Sequence, residues 1–413
     1  MKLTTPQIVN FSVFLFFALT FATRSGYSLG AALLIIAAII RIKSITQYIK
    51  KINLPLNTKL FILFLVLFSL FQIIPNLIQN LSMSEFDKPI RYIIIILPLL
   101  LLIQYEISLK TIAFATLIGS IIIGLQAIYD VYILDVSRAG GRFTVVIDFG
   151  NIALLMTSFV ILSYEELKKY IHQLIIMSSI SLGFIAVILS GSRGAWSYIP
   201  ILLFIVIFFY RKKLTLINFF NNKKKISVLL LLFVGVTSFV YPKISSRINA
   251  ATNDITLYQD GHSNSSVGLR FEMWKSAIDT IKTAPLFGAG DSGIAESNHK
   301  LAQQGEINLP KVWLDNDNPH NQYLYVFAKY GVFAFLSLMA LFLLPLHFFY
   351  IHRNSPNNTI KTAAYLGICT VLGCMTFSLT ESILINNAMQ TFYLFSIIIF
   401  YSICIKRDIN HET

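Results

Sequence analysis

The run Asp315-Asn-Asp317-Asn-Pro-His320-Asn-Gln-Tyr323 puts a histidine and two carboxylates within nine residues. Asn318 suits a helix N-cap and Pro319 the first helical position, which places His320 in the first turn. The positive end of the helix dipole disfavours imidazolium there, so His320 is expected to be neutral. A neutral imidazole accepts protons near neutral pH, the property of a general base for a hydroxyl nucleophile. The same residue also suits a plain hydrogen-bonding role at an interface. Asp315 and Asp317 spell D-x-D, which can hold a divalent cation, but beside Asn and Pro they serve equally as turn residues.

Arginine is the second resource. Ser190-Gly-Ser192-Arg193-Gly-Ala195-Trp196 is a very short connection between two apolar runs. A guanidinium so close to hydrocarbon either snorkels or has an anionic partner. Arg138 and Arg142 flank Gly140 and Gly141 in another connection, Arg91 opens a further run, and Arg270 falls in Leu269-Arg-Phe-Glu-Met-Trp-Lys-Ser-Ala-Ile-Asp-Thr-Ile-Lys282. Arginine contacts phosphate oxygens bidentately and stays charged. Arg270 reads either as such a ligand or as a solvated surface charge. Gly288-Ala-Gly290-Asp-Ser-Gly293 matches G-x-G-x-x-G by letter, but it follows a helical pattern instead of a strand. It reads as a tight turn of positive-φ glycines whose N–H groups could still approach a phosphate.

The elements that must position these groups are membrane helices. Of 413 residues 55% are hydrophobic and only 13% charged, and mean hydropathy is +0.69, too apolar for the surface of a soluble domain. The net charge of +13 calls for no nucleic-acid partner. Apolar runs of near-spanning length predict helices over Ile8–Ala22, Tyr27–Ile42, Leu60–Ile74, Tyr92–Ile103, Ile112–Ile128, Asp148–Leu162, Leu174–Leu189, Ala195–Tyr210, Ile226–Val240, Tyr323–Tyr350, Thr362–Phe377 and Met389–Ile405. Connections at alternate ends carry Arg41, Lys43, Lys50 and Lys51, then Lys168 and Lys169, then Arg211 to Lys225, and finally Lys406 and Arg407. The positive-inside rule makes that side cytoplasmic and puts both termini inside. The first run is expected to be an uncleaved helix despite Lys2 before it. Cys369, Cys374 and Cys404 fall in or beside the last two helices and read as apolar filler.

The expected organisation is residues 1–242 as transmembrane helices 1–9, 243–320 as a large outer loop, and 321–413 as helices 10–12. A connection of that length usually carries function or structure of its own. Within it, Leu269–Lys282 predicts an amphipathic helix with Phe271, Trp274, Ile278 and Ile281 on one stripe, ended by Pro285. That stripe would lie on the membrane surface or against the bundle.

The chain resembles the O-antigen ligases of Gram-negative bacteria, within the superfamily of O-antigen polymerases and bacterial O-linked oligosaccharyltransferases. The likeness is sharpest over Ser245-Ser-Arg-Ile-Asn-Ala-Ala-Thr-Asn-Asp-Ile, Gly268-Leu-Arg270-Phe-Glu-Met-Trp and His320-Asn-Gln-Tyr-Leu, with Ser192-Arg193-Gly-Ala upstream. It implies an all-α polytopic, GT-C-like glycosyl transferase of about twelve transmembrane helices. This would sit in the inner membrane with a helical periplasmic loop between helices 9 and 10 and its active site facing the periplasm. The implied donor is an undecaprenyl diphosphate-linked glycan, and the implied acceptor a sugar hydroxyl of lipid A–core. No metal or other cofactor is implied. By the same resemblance His320 deprotonates the acceptor, Arg193 and Arg270 bind the donor diphosphate, and Arg138 assists.

A polymerase or a protein O-oligosaccharyltransferase of the same superfamily is the neighbouring expectation. A secondary transporter is the rival from another class, but it would place ionisable groups near the bilayer midplane. Here they gather at one surface.

Overall fold

The computed structural model describes residues 4–79, 82–210, 245–246, 249–250, 252–260 and 262–412, the last helix by backbone alone beyond residue 406. The run Ile226–Val240 lies outside the described residues. Those described form helices α1 (Thr5–Ala18), α2 (Gly26–Ile40), α3 (Ile42–Ile49), α4 (Leu56–Ile78), α5 (Asp87–Ile94), α6 (Ile96–Gln104), α7 (Leu109–Ile128), α8 (Val146–Leu162), α9 (Tyr164–Leu167), α10 (Gln173–Ser190), α11 (Arg193–Trp196), α12 (Ile199–Tyr210), α13 (Ser266–Thr283), α14 (Gly293–Gln303), α15 (Gln322–His352), α16 (Asn358–Phe377) and α17 (Asn387–Glu412).

Among the described residues seven helices are long and apolar enough to cross a membrane, or eight if the bent pair α2–α3 is one span. α1 and α8 are shorter apolar helices. Helices suit this setting because each satisfies its own backbone hydrogen bonds, which hydrocarbon cannot do. The chain is a polytopic helical membrane protein.

The sequence marks which helices are central. The apolar window of α17 is 94% buried and that of α16 78%, whereas α4 and the α11–α12 segment are 33% and 28% buried and turn Leu63, Leu70, Leu203 and Phe204 outward. Phe16 and Phe17 of α1, Phe159 of α8, and Phe392 and Phe400 of α17 pack ring to ring at 4.9 to 6.2 Å. These aromatic contacts tie the first, middle and last helices into one core. The three cysteines are buried within it.

The predicted helices Tyr92–Ile103 and Ala195–Tyr210 are each divided, between α5 and α6 and between α11 and α12, and two further elements differ in detail. α15 begins at Gln322, because Asn321, not Asn318, is the N-cap and accepts from the N–H groups of Tyr323 and Leu324 at 3.0 and 3.1 Å. α13 forms as expected, but it buries Met273, Ser276, Ala277 and Thr280, while Phe271 and Ile278 are exposed. Small residues let α13 close onto α14: the Thr280 hydroxyl lies 2.9 Å from that of Ser297 and donates to the carbonyl of Gly293 at 3.2 Å.

Candidate active site

α10 ends at Gly191, and Ser192 caps the short helix α11 by accepting from the Ala195 N–H. Arg193 therefore starts α11 at the end of the bundle. A Cβ on Gly194 would stand 2.4 Å from the hydroxyl of Thr380, so α11 lies close against the turn between α16 and α17 and a larger residue there would displace the Thr380 side chain. That turn carries Glu381, whose side chain is 3% exposed.

The segment before α15 lies on the same turn. The Gln322 N–H donates to the Ser378 carbonyl at 2.9 Å, and the Asn321 amide donates to the Leu379 carbonyl at 3.2 Å. His320, with a left-handed φ of 49°, sits just outside the helix instead of in its first turn. Its Nδ1 lies 2.9 Å from Glu381 Oε2 and 3.0 Å from Oε1. A carboxylate at Nδ1 selects the tautomer with the proton there and leaves a lone pair on Nε2. The neighbouring carboxylate, more than the helix dipole, therefore governs this imidazole.

Ser265 caps α13 by accepting from the Gly268 N–H at 3.1 Å, which puts Arg270 near the helix start. Trp274, one turn on, donates its indole N–H to the Pro319 carbonyl at 2.9 Å and pins α13 to the His320 segment. Arg270 lies within Coulombic range of Glu381, Arg193 and Asp254. Burial pushes its guanidinium below the ordinary arginine range; Glu381 opposes that shift, Arg193 adds to it, and Asp254 opposes it. An arginine so displaced still carries its charge.

Arg193 meets Asp254 at 3.0 Å. Both arginines keep donors in reserve: Arg193 Nη1 and Arg270 Nε are buried without a hydrogen-bond partner among the described residues, as is the indole nitrogen of Trp196. Buried donors of this kind are expensive unless a ligand fills them. His320, Arg193 and Arg270 thus form one cluster around Glu381.

The other sequence candidates go elsewhere or play a different part. Arg138 reaches the end of α10, where its Nε donates to the Ser190 carbonyl at 2.8 Å and braces the connection that carries Arg193. Arg142 pairs with the fully buried Asp130 at 2.7 Å and donates to Gln126 at 3.0 Å, closing its own loop. Arg91 is held by Asp87 and Gln390 at a separate cleft of about 350 Å³ lined by Tyr27, Ile94 and Phe395. Asp315 turns to His299 at 2.8 Å and Asp317 towards Lys329 at 3.8 Å, so the two carboxylates face different partners.

The glycine run is a structural turn. α15 breaks at Gly331, where φ is 80°, and the carbonyls of Ala328 and Lys329 accept from the N–H groups of Ala289 and Gly290 at 2.9 and 3.1 Å. Buried Lys329 pairs with Asp291 beneath it. Those two glycine-run N–H groups are therefore spent on α15.

Sequence reasoning missed Glu381 and Asp254. Glu381 had a signal, since a lone carboxylate between the last two apolar helices is as costly beside hydrocarbon as Arg193. Asp254 lies in the Ser245–Ile255 motif, where nothing local separates it from a solvated acid.

A family model described as O-Antigen ligase matches residues 178–339, a stretch that contains Arg193, Arg270 and His320. A protein of Haemophilus influenzae described as uncharacterized is 30% identical over 400 residues, covering 95% of this chain and 97% of its own length. With its helical membrane fold, the chain belongs to the O-antigen ligase/polymerase superfamily.

Proposed function

We propose that the protein is an O-antigen ligase of the inner membrane, transferring a glycan from undecaprenyl diphosphate to a sugar hydroxyl of lipid A–core on the periplasmic side. In this reading residues 1–242 hold helices 1–9 of a twelve-helix, GT-C-like bundle, 243–320 form the periplasmic loop, and 321–413 hold helices 10–12. The observation that carries it is the pair of guanidinium groups with unspent N–H donors, Arg193 and Arg270, beside the His320–Glu381 pair.

Negative charge builds on the diphosphate as the glycosidic bond breaks. Arg193 and Arg270 stabilise it from fixed positions, each contributing on the order of 10²–10³ in rate. Arg138 helps by holding the turn that carries Arg193. The acceptor hydroxyl attacks the anomeric carbon opposite the leaving group and inverts it. His320 Nε2 takes the hydroxyl proton, and Glu381 stabilises the resulting imidazolium. The cations supply the charge stabilisation, so the scheme uses no metal.

The decisive experiment reconstitutes transfer from undecaprenyl diphosphate-linked glycan to purified lipid A–core. Product formation by the wild type and its loss in His320→Ala with donor binding retained support the assignment. A deletion strain separates the neighbouring reactions: bare core with accumulated polymeric lipid-linked glycan marks a ligase, and single repeats on core mark a polymerase.

A further inference from the structure

Away from the His320 cluster, α2, α5 and α17 enclose the cleft of about 350 Å³ that Arg91 borders. Tyr27, Asp87 and Asn387 line it from the first turns of those three helices, and Arg91 and Thr391 follow one turn on. Beyond them the walls are Ile35, Ile94, Leu394 and Phe395. α17 starts just after the turn that carries Glu381, so the polar mouth opens at the same end of the bundle as His320. From there the lining changes from polar to apolar in the direction all three helices run. Ile39, one turn beyond Ile35 on α2, is exposed and extends the apolar track past the cleft. A site with a few placed polar groups at one end of an apolar slot selects an amphiphile and fixes its orientation.

The charges at the mouth are held in place. Gln390 of α17 is fully buried; its amide donates to the Lys88 carbonyl at 3.0 Å, and its oxygen accepts from Arg91 Nη1 at 3.4 Å. Arg91 Nη2 donates to Asp87, one turn back on α5. These bonds use one hydrogen of each Nη, and among the described residues the remaining guanidinium N–H groups are left to meet an anion. The Asp87 side chain is exposed, and an ion pair of this kind is worth little by itself, so a ligand can share it at small cost.

A cation and a carboxylate side by side at one mouth match a headgroup that carries both opposite charges. A phosphodiester suits the guanidinium, which contacts phosphate oxygens through two parallel N–H groups. A primary ammonium suits Asp87, because it donates hydrogen bonds as well as charge. A quaternary ammonium has no N–H to donate, and a headgroup with a phosphate alone leaves its charge facing the carboxylate.

We propose that the α2–α5–α17 cleft is a binding site for an ethanolamine phospholipid, with its phosphate on Arg91, its ammonium on Asp87 and an acyl chain along Ile35, Ile94 and Phe395. The lipid fills the space between α2, α5 and the central helix α17, and it stabilises the folded bundle because it binds only that form. The site uses none of the groups assigned to glycan transfer and does not rest on that reading.

Native mass spectrometry and thermal melting of the purified, delipidated full chain test this, with phosphatidylethanolamine, phosphatidylcholine and phosphatidylglycerol of identical acyl chains as probes. Phosphatidylethanolamine is expected to be retained about tenfold more tightly than either of the others and to raise the melting temperature more. Arg91→Gln and Asp87→Asn are each expected to weaken that retention by about tenfold. Ala32→Phe, at an exposed position in the cleft wall, fills the slot without touching the charges and is expected to exclude the lipid too, which keeps the test valid if a charge variant fails to fold. Equal retention of the three lipids, preference for phosphatidylglycerol, or wild-type retention in the folded variants overturns the proposal. Displacement of phosphatidylethanolamine by a polyprenyl diphosphate also overturns it, since the cleft would then belong to the donor.

Discussion

The indole nitrogen of Trp274 and the carbonyl oxygen of Pro319, 2.9 Å apart, join the helix that carries Arg270 to the residue preceding His320. Trp274→Phe keeps an aromatic ring, though a smaller one, and removes the donor, leaving a buried carbonyl unpaired at a cost of about 1–3 kcal/mol. The expected result is a folded protein with slower transfer and weaker coupling between donor binding and turnover. Thermal melting together with kcat and KM in the reconstituted reaction checks it; wild-type kinetics would show that the bond has no part in alignment.

Glu381→Gln is nearly isosteric and cannot act as the anionic partner of Nδ1. Turnover is expected to fall by about 10²–10⁴-fold with lipid diphosphate binding retained. The double variant with His320→Ala should be little worse than either single one, because the two residues act as a unit. Additive losses in single-turnover assays would separate their roles.

Arg270→Lys keeps a positive charge and loses the planar fork. A drop on the order of 10²–10³ in kcat/KM is expected, since a point charge does not reproduce bidentate contact with a diphosphate. Full activity in purified enzyme would remove Arg270 from the donor site.

Arg142 is a stability residue by its contacts. Arg142→Met strands the buried carboxylate of Asp130, which then keeps, among the described residues, only the Gly140 N–H as a donor, and a loss of about 1–3 kcal/mol is expected. The melting temperature should fall while the activity of the surviving folded fraction is retained. An unchanged melt with abolished transfer would instead place Arg142 on substrate.

Asp317 makes a pH prediction. Burial pushes its carboxyl above the usual range, with Lys329 opposing and Asp291 adding to the shift. The folded form therefore binds this proton more tightly than the unfolded chain does. The penalty for ionising it is absent in acid below the unfolded pKa and is fully present once pH exceeds the folded one. Asp317→Asn should raise the melting temperature at neutral pH and leave it unchanged in acid, as a pair of melting curves would reveal. If Asp315 and Asp317 are turn residues, as their separate partners indicate, a chelator should also leave transfer unaffected.

The helical stop and start signals were only partly legible. Asn318 and Asn321 both suit a cap locally. The choice of Asn321 comes from the turn at Ser378 and Leu379, which engages Gln322 and Asn321 from nearly sixty residues away in sequence. Which face of α13 packs on the protein has a related cause. Phe271 and Ile278 form a visible stripe, but close packing on α14 selects Ala277 and Thr280 because they are small.

On its own, the sequence determined the membrane-helix character, the run of arginines and the histidine, because hydrocarbon tolerates only long apolar segments and makes each isolated charge conspicuous. Only the tertiary structure decided that Glu381 holds His320 and that Asp254 meets Arg193. Those partners are 61 residues apart in both pairs, and a carboxylate's role depends on which cation folding brings beside it. No local pattern encodes that choice.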